Sequence, residues 1–321
     1  MNSKKYKDVG VDLKAMGLLK NKILSSYDVM LKGHYASVIP LGNDRYYSIH
    51  TDGVGTKMLI AEKLGIWDGV GIDAVAMNVN DMACINCTPA AGVDYIAAGK
   101  QDQETIEKIV KSVAHGCKLA KITLAGGETA ILKGMVNGFD LSFTCVGFGK
   151  ISELIDGKRI SDGDIIIGLR SSGLHSNGFS LARNVLDLET YGKQLLTPTV
   201  IYSSGVLELA KQIKVNGIAH ITGGAFTKIR RLGTKFDYVL DNMPSPTGIF
   251  KALYDEIKDI KELYSVFNMG IGMLLIVSPD DEKQASNFLR KKNFEPVKIG
   301  ITKKGNGKIL IQNQKGDTTE L

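Results

Sequence analysis

The feature that most constrains this chain is a punctuation that recurs in both halves: a short apolar run, a glycine-bearing turn, then a segment of helical period. "YYSIHTDG" runs into "TKMLIAEKLGIW" in the first half, and "DIIIGLRSSGLHSNG" runs into "FSLARNVL" in the second. "IAHITGGAFTKI" repeats the order. Short apolar runs bounded by glycine turns read as strands, and apolar spacings of three and four read as helices. Strands and helices therefore alternate throughout, and the chain is of mixed α and β class. At 321 residues it exceeds a usual single domain, so two are expected. The polar stretch "KISELIDGKRISDGD" puts their boundary between Lys150 and Gly163.

Within that frame the spacing predicts a helix over residues 6–30, with Leu13, Met16, Leu19 and Ile23 on one face. Ile72, Val75, Ala76, Val79, Met82 and Ala83 form a second helical stripe, and "DQETIEKIVKSVAHGCKLA" is an amphipathic helix with an acidic first turn. "KITLAGGETA" reads as a strand ending at its double glycine. "VKIGITKKGNGKILIQN" reads as a terminal hairpin turning at Gly305-Asn306-Gly307. Ser176 or Asn177 is placed to cap the helix that follows "SSGLHSNG".

The formal charge is +6, but the lysines are scattered and few aromatics interleave with them, which excludes a nucleic-acid-binding face. A moderate positive field would still gather anionic small substrates. No apolar run approaches the ~20 residues that span a bilayer, so no membrane association is expected. The first residues carry lysines without an apolar stretch, which predicts no secretory signal and a cytoplasmic protein. Cys84 and Cys87 have the spacing of half a zinc site, yet Cys117 and Cys145 make no second pair. Free buried thiols are the expectation.

"HTDGVGTK" (50–57) concentrates the chemistry. Gly53 and Gly55 let backbone amides approach an anion, and Lys57 adds a positive charge. Asp52 beside a phosphate would be repulsive unless a cation lay between, which points to Mg2+ bridging protein and phosphate oxygens. The spacing is not that of a P-loop. A surface turn with solvated Asp and Lys is the competing reading of these residues alone. Asp73 and Asp81 lie eight residues apart on one helix, roughly 12 Å, too far to ligate one ion together. Asp73 reads equally well as a structural or capping residue. Glu128 follows Gly126 and Gly127, where acids beside glycines often serve nucleotide and metal sites. His175 sits in a Ser/Gly/Asn loop before a helix, suited to proton transfer or to binding phosphate.

Taken in order, "YKDVGVD", "HTDGVGTK", "GIDAVAMNVNDM", "VDYIAAGK", "LAGGETA", "SSGLHSNGFSLAR", "LLTPTVIY", "AHITGGAF" and "FNMGIGM" span almost the whole chain. This set resembles the phosphoribosylformylglycinamidine cyclo-ligase family, the aminoimidazole ribonucleotide (AIR) synthetases of purine biosynthesis. Ala225 stands where the family usually has the third glycine of "HITGGG". The resemblance implies an α+β fold of two domains, 1–155 and 156–321: an ATP-binding, dimerising first domain and an α/β second domain. It also implies a homodimer in which first-domain strands from two subunits form one barrel. The implied activity is ATP-dependent ring closure of formylglycinamidine ribonucleotide, with ATP and Mg2+ as cofactors. Asp52, Lys57 and His175 would be catalytic. ATP would meet Asp52, Gly53, Val54, Gly55, Thr56, Lys57, Asn80, Asp81, Gly126, Gly127 and Glu128, with Mg2+ on Asp52, Asp81 and Glu128. Ser172, Gly173, His175, Ser176 and Asn177 would meet the substrate. Rival readings are three sister activities, namely formylglycinamidine ribonucleotide synthetase, selenophosphate synthetase and thiamine-phosphate kinase. A catalytically silent nucleotide-binding regulator is the rival from another class.

Overall fold

Asp12 opens the first helix by accepting from the backbone amides of Lys14 and Ala15, both at 3.0 Å, in this computed structural model, which describes residues 5–312 and 316–321. That helix is α1 (Leu13–Leu24), and a separate 3-10 turn (Tyr6–Val9) precedes it. The single helix expected over residues 6–30 is therefore broken, because Gly10 takes φ +87° and Asp12 is extended. There follow β1 (Ile39–Gly42), β2 (Arg45–Gly53), α2 (Met58–Leu64), α3 (Val70–Ala83), β3 (Thr88–Ala98), α4 (Gln103–Ala120), β4 (Thr123–Ile131) and β5 (Phe139–Lys150). Their strands form a five-stranded sheet in the order β1-β2-β5-β3-β4.

One face of that sheet carries α3 and α4. Every residue of α3 except Ile72 is buried, polar ones included. It packs against α4 through small residues: a Cβ on Gly71 would lie 2.0 Å from the Val113 amide nitrogen. The opposite face is open, and Ile49, Val93, Tyr95 and Phe148 on it are each exposed. β4 does not end at its double glycine but runs on through it, pairing in parallel with β3. Gly127 leaves the space that the Asp94 carboxylate fills, since a Cβ there would be 2.3 Å from Asp94 Oδ1.

The second half supplies β6 (Ile165–Arg170), α5 (Phe179–Val185), α6 (Leu188–Leu195), α7 (Ser203–Ala210), β7 (Val215–His220), β8 (Phe236–Leu240), α8 (Gly248–Ile257), α9 (Ile260–Val266), β9 (Ile271–Val277), α10 (Glu282–Lys291), β10 (Pro296–Lys304), β11 (Ile309–Gln312) and β12 (Thr318–Glu320). They build a seven-stranded sheet, β12-β11-β8-β10-β6-β9-β7. β6 and β9, nearly unbroken apolar runs, are interior strands of it. Strands and helices alternate as expected, although in this second sheet, among the described residues, only the β8–β11 pairing is parallel.

The expected terminal hairpin is not formed. β10 and β11 both pair with β8, which lies between them. Asp237 of β8 accepts from the amides of Asn306 (2.9 Å) and Lys308 (2.8 Å), so the Gly305–Gly307 turn straddles that strand instead of closing a ladder. Ser176 and Asn177 do not cap α5 either; its N-cap is Gly178 at φ +80°.

Candidate functional site

α3 lies between the two sheets, and four polar side chains on it face the second domain or the end of β2. Asp81 is the centre. Its Oδ1 accepts from His220 Nδ1 at 2.7 Å, and its Oδ2 lies 3.5 Å from His50 Nε2. His220 ends β7 and His50 sits on β2, so one carboxylate of α3 joins both domains. Asn78 donates its amide to the Ala74 carbonyl, which turns its Oδ1 toward His50 Nδ1 at 2.8 Å. That oxygen needs a proton on Nδ1, so His50 can also present a proton to Asp81 only as an imidazolium. The electrostatics agree. Burial would lower His50, but Asp81 and Asn78 outweigh it and raise the ring above its ordinary value. Burial would likewise raise Asp81, yet the bonds from His220 and His50 hold the carboxyl well below the usual range.

Asp52, half-buried at the end of β2, accepts from the Gly53 amide at 2.8 Å. Burial raises its pKa, the negative charge of Asp81 raises it further, and His50 and Lys228 pull the other way. Two carboxylates that repel one another across a site lined with polar groups suit a divalent cation between or beside them. Among the described residues no group of three or more His, Cys, Asp or Glu side chains is gathered to hold a metal. A Mg2+ ion here would therefore rest on Asp52 and Asp81 and complete its shell with water and phosphate oxygens, its usual habit.

Glu128 does not join them. Asp52 pairs with Phe143, Phe143 with Asp94 and Asp94 with Gly127, so these four share the helix-covered face. Glu128 pairs with Tyr95 and lies on the open face, exposed. Gly126 and Gly127 lie beside it on the same outer strand.

The "HTDGVGTK" turn divides its residues. Gly55 is exposed at φ +69°, while Val54 is fully buried with its amide on the Leu141 carbonyl. Thr56 Oγ1 meets Ser180 Oγ of α5 at 3.2 Å. Lys57 is fully buried and ion-paired with Asp73 at 2.7 Å. Burial lowers its pKa and Asp73 counters that. Asn80 is also engaged with protein: its Oδ1 accepts from the amides of Tyr202 (2.8 Å) and Ser203 (3.2 Å), and its Nδ2 donates to the Val200 carbonyl (2.9 Å). It caps α7 from outside.

In the second-domain loop, His175 is the exceptional residue. It takes φ +62°, is 1% exposed, and neither ring nitrogen has a hydrogen-bond partner. A buried imidazole with two unpaired nitrogens calls for an absent partner. Burial first, and then the charges of His220 and Lys57, push its pKa well below the ordinary value, so the ring is neutral. Around it Ser172 Oγ donates to the Pro198 carbonyl, Gly173 accepts at its carbonyl from Asn268, and Ser176 Oγ lies 3.2 Å from Thr199 Oγ1. Asn177 Nδ2 points to Met77 Sδ on α3 at 3.9 Å. Thr222, to which Lys228 donates, lies beside Gly223 and Gly224 in the turn after β7. Ala225 there takes φ +41°, a conformation that glycine adopts without strain.

Sequence reasoning gave no role to His50, Asn78, His220 or Thr199. A signal existed for two of them. "HTDG" and "HITG" are both His-x-x-Gly at the end of a strand, and the fold brings those two ends onto Asp81. Thr199 and Asn78 gave none, because only the docking of α3 against the second domain creates their roles. The four cysteines are buried and free.

Residues 33–148 match the family described as AIR synthase related protein, N-terminal domain, and residues 161–312 match its C-terminal domain. The phosphoribosylformylglycinamidine cyclo-ligase of Sulfurisphaera tokodaii is 42% identical over 320 residues, covering 97% of this chain and 98% of that protein. That of Methanocaldococcus jannaschii is 44% identical over 320 residues, covering 92% and 91%. Among solved structures, a HypE–HypF complex superposes with a TM-score of 0.72 at 16% identity, covering 95% of this chain and 98% of the other. AaThiL complexed with AMPPCP and TMP gives 0.67 at 16% identity, covering 100% and 99%. At that identity the structures speak for the fold.

Proposed function

Because the chain belongs to the AIR synthase related family over both of its domains, we propose that it is an ATP-dependent cyclo-ligase of purine biosynthesis. It converts formylglycinamidine ribonucleotide to 5-aminoimidazole ribonucleotide with release of ADP and phosphate. The observation that carries this reading is the identity of 42–44% to cyclo-ligases over nearly their full lengths. The setting is proposed to be cytoplasmic; among the described residues no helix is long and apolar enough to cross a membrane.

The chemistry needed is modest. The formyl oxygen of the substrate is a poor leaving group until the γ-phosphoryl of ATP is placed on it. The internal amine then attacks the activated carbon, and the oxygen departs with phosphate. The protein's work is positioning and charge neutralisation. Mg2+, when bound, would offset phosphate charge. Asp52 and the Oδ2 of Asp81 would hold it, and His220 would keep the Asp81 carboxylate turned. The amide of exposed Gly55 would meet a phosphate oxygen, since those of Gly53 and Val54 are held by Asp52 and the Leu141 carbonyl. Neutral His175, its ring nitrogens without partners, would accept the proton that the attacking amine loses. Ser172, Gly173, Ser176 and Asn177 form the loop that carries it.

Glu128 enters this proposal through a second subunit. The open face of the first sheet, with Ile49, Val93, Tyr95 and Phe148 exposed, is the kind of surface a protein covers. Packing two copies of it would build the cross-dimer barrel and bring Glu128 to the seam. The test of the activity is direct: mixing the protein with formylglycinamidine ribonucleotide and Mg-ATP should give substrate-dependent ADP and an aminoimidazole product. ADP release with thiamine phosphate in its place would overturn the assignment.

A further inference from the structure

Three oxygens surround the ammonium of Lys57: Asp73 Oδ2 at 2.7 Å, the Thr197 carbonyl at 2.8 Å and the His175 carbonyl at 3.0 Å. Two of its three N–H groups go to the two carbonyls, and Asp73 Oδ2 neutralises its charge as an ion pair, so the ammonium is occupied within the protein. Lys57 is also fully buried, with no side-chain surface facing the cleft. Asp73 is held at its other oxygen as well. Its Oδ1 accepts from the Thr199 amide at 2.8 Å and from Thr199 Oγ1 at 2.6 Å. The pair belongs to the first domain, whereas every other group it binds belongs to the second.

Its second-domain partners converge on one point. Lys57 holds the carbonyl of His175 itself, and Asp73 holds Thr199, whose hydroxyl oxygen lies 3.2 Å from Ser176 Oγ. Between these two attachments His175 keeps a left-handed backbone, which a non-glycine residue maintains only where its surroundings fix it. Its ring is wedged against β9 and α7: a Cβ on Gly272 would stand 2.4 Å from His175 Cε1, and the Tyr202 ring centroid is 6.0 Å away.

We infer that Lys57 is a positioning residue and not a phosphate ligand: with Asp73 it reaches across the domain boundary and fixes the backbone that aims the His175 imidazole. The inference rests on the reading of His175 as a group of the reaction site. It assigns to the lysine of "HTDGVGTK" a different task from that of the Gly55 amide.

Removing one charge alone would leave the other buried and unpaired, so the test neutralises both, in Lys57→Met/Asp73→Asn. The expected result has three parts. Affinity for a non-hydrolysable ATP analogue with Mg2+ stays unchanged, kcat falls at least ~10-fold through misplacement, and diethyl pyrocarbonate modifies His175 faster, as mapped by mass spectrometry. Analogue binding about tenfold weaker with kcat retained at saturation would make Lys57 a phosphate ligand and overturn the inference. Wild-type protein with no turnover would overturn the proposed reaction instead. The His175 modification rate would then still decide the positioning claim, and an unchanged rate in the double variant contradicts it. Should that variant not fold, Thr199→Val must lower kcat and Thr199→Ser must restore it; equal activity in the two contradicts the claim as well.

Discussion

His175 is charged in an unfolded chain below about pH 6.5 and neutral in the fold, because burial depresses its pKa. Under acid, unfolding therefore takes up a proton at this residue, and stability falls as pH drops through that value. His175→Asn should flatten the acid-side loss of stability in urea titrations from about pH 7 to 5. The same variant should lower kcat at least ~100-fold with KM nearly unchanged, as loss of an acid–base group does. A raised KM with unchanged kcat would make the ring a binding group only. Asp81→Asn should abolish turnover while circular dichroism shows a folded protein. Cys87 and Cys145 are both pushed up to about 12 by burial, so none of their reactivity should show with a thiol reagent before denaturation. Asp52 was singled out from its glycine turn, whereas the choice of Asp81 over Asp73 and the role of His175 came from the family resemblance. The engagement of Lys57 and Asn80 with the second domain was not legible, since the partners there lie 118 to 140 and 120 to 123 residues away.

α3 shows what period and composition can and cannot tell at the scale of elements. Its apolar stripe marked it as a helix, but a helix buried on nearly all sides has no free polar face, and its Asp and Asn residues become fasteners to the next domain. Asn80→Ala would leave two amides and a carbonyl near α7 without their partner. Its expected cost is about 3 kcal/mol in urea unfolding, from groups worth ~1–3 kcal/mol each when left unsatisfied. Gly71→Ala should destabilise by ~1–3 kcal/mol or more, since α4 backbone occupies the space of the new methyl. A wild-type midpoint in either variant would contradict this packing. Strands were readable wherever apolar runs met glycine turns. Pairing was not: the "KGNGK" turn has hairpin chemistry, yet Asp237 holds it over a strand that arrives from some 70 residues earlier. β4 continued through its glycines for a reason that only the neighbouring strand supplies, the Asp94 carboxylate.

For the whole molecule, the open face of the first sheet and the isolation of Glu128 from Asp52 make one connected expectation. Sedimentation should find a dimer at micromolar concentration, and Ile49→Asp with Phe148→Asp should yield monomers that have lost activity. Dimeric double variants would contradict the assignment of that face. The mixed α and β class follows from the alternating patterns and was visible before the coordinates, whereas the α+β two-domain fold was what the family resemblance implied. The order of strands in the second sheet depends on long-range pairings that no local pattern encodes. If ATP activates the formyl oxygen, that oxygen leaves as part of the phosphate. Turnover of formylglycinamidine ribonucleotide carrying 18O in the formyl group should then put one 18O into the released phosphate for each aminoimidazole formed. Label recovered in water, with unlabelled phosphate, would contradict it.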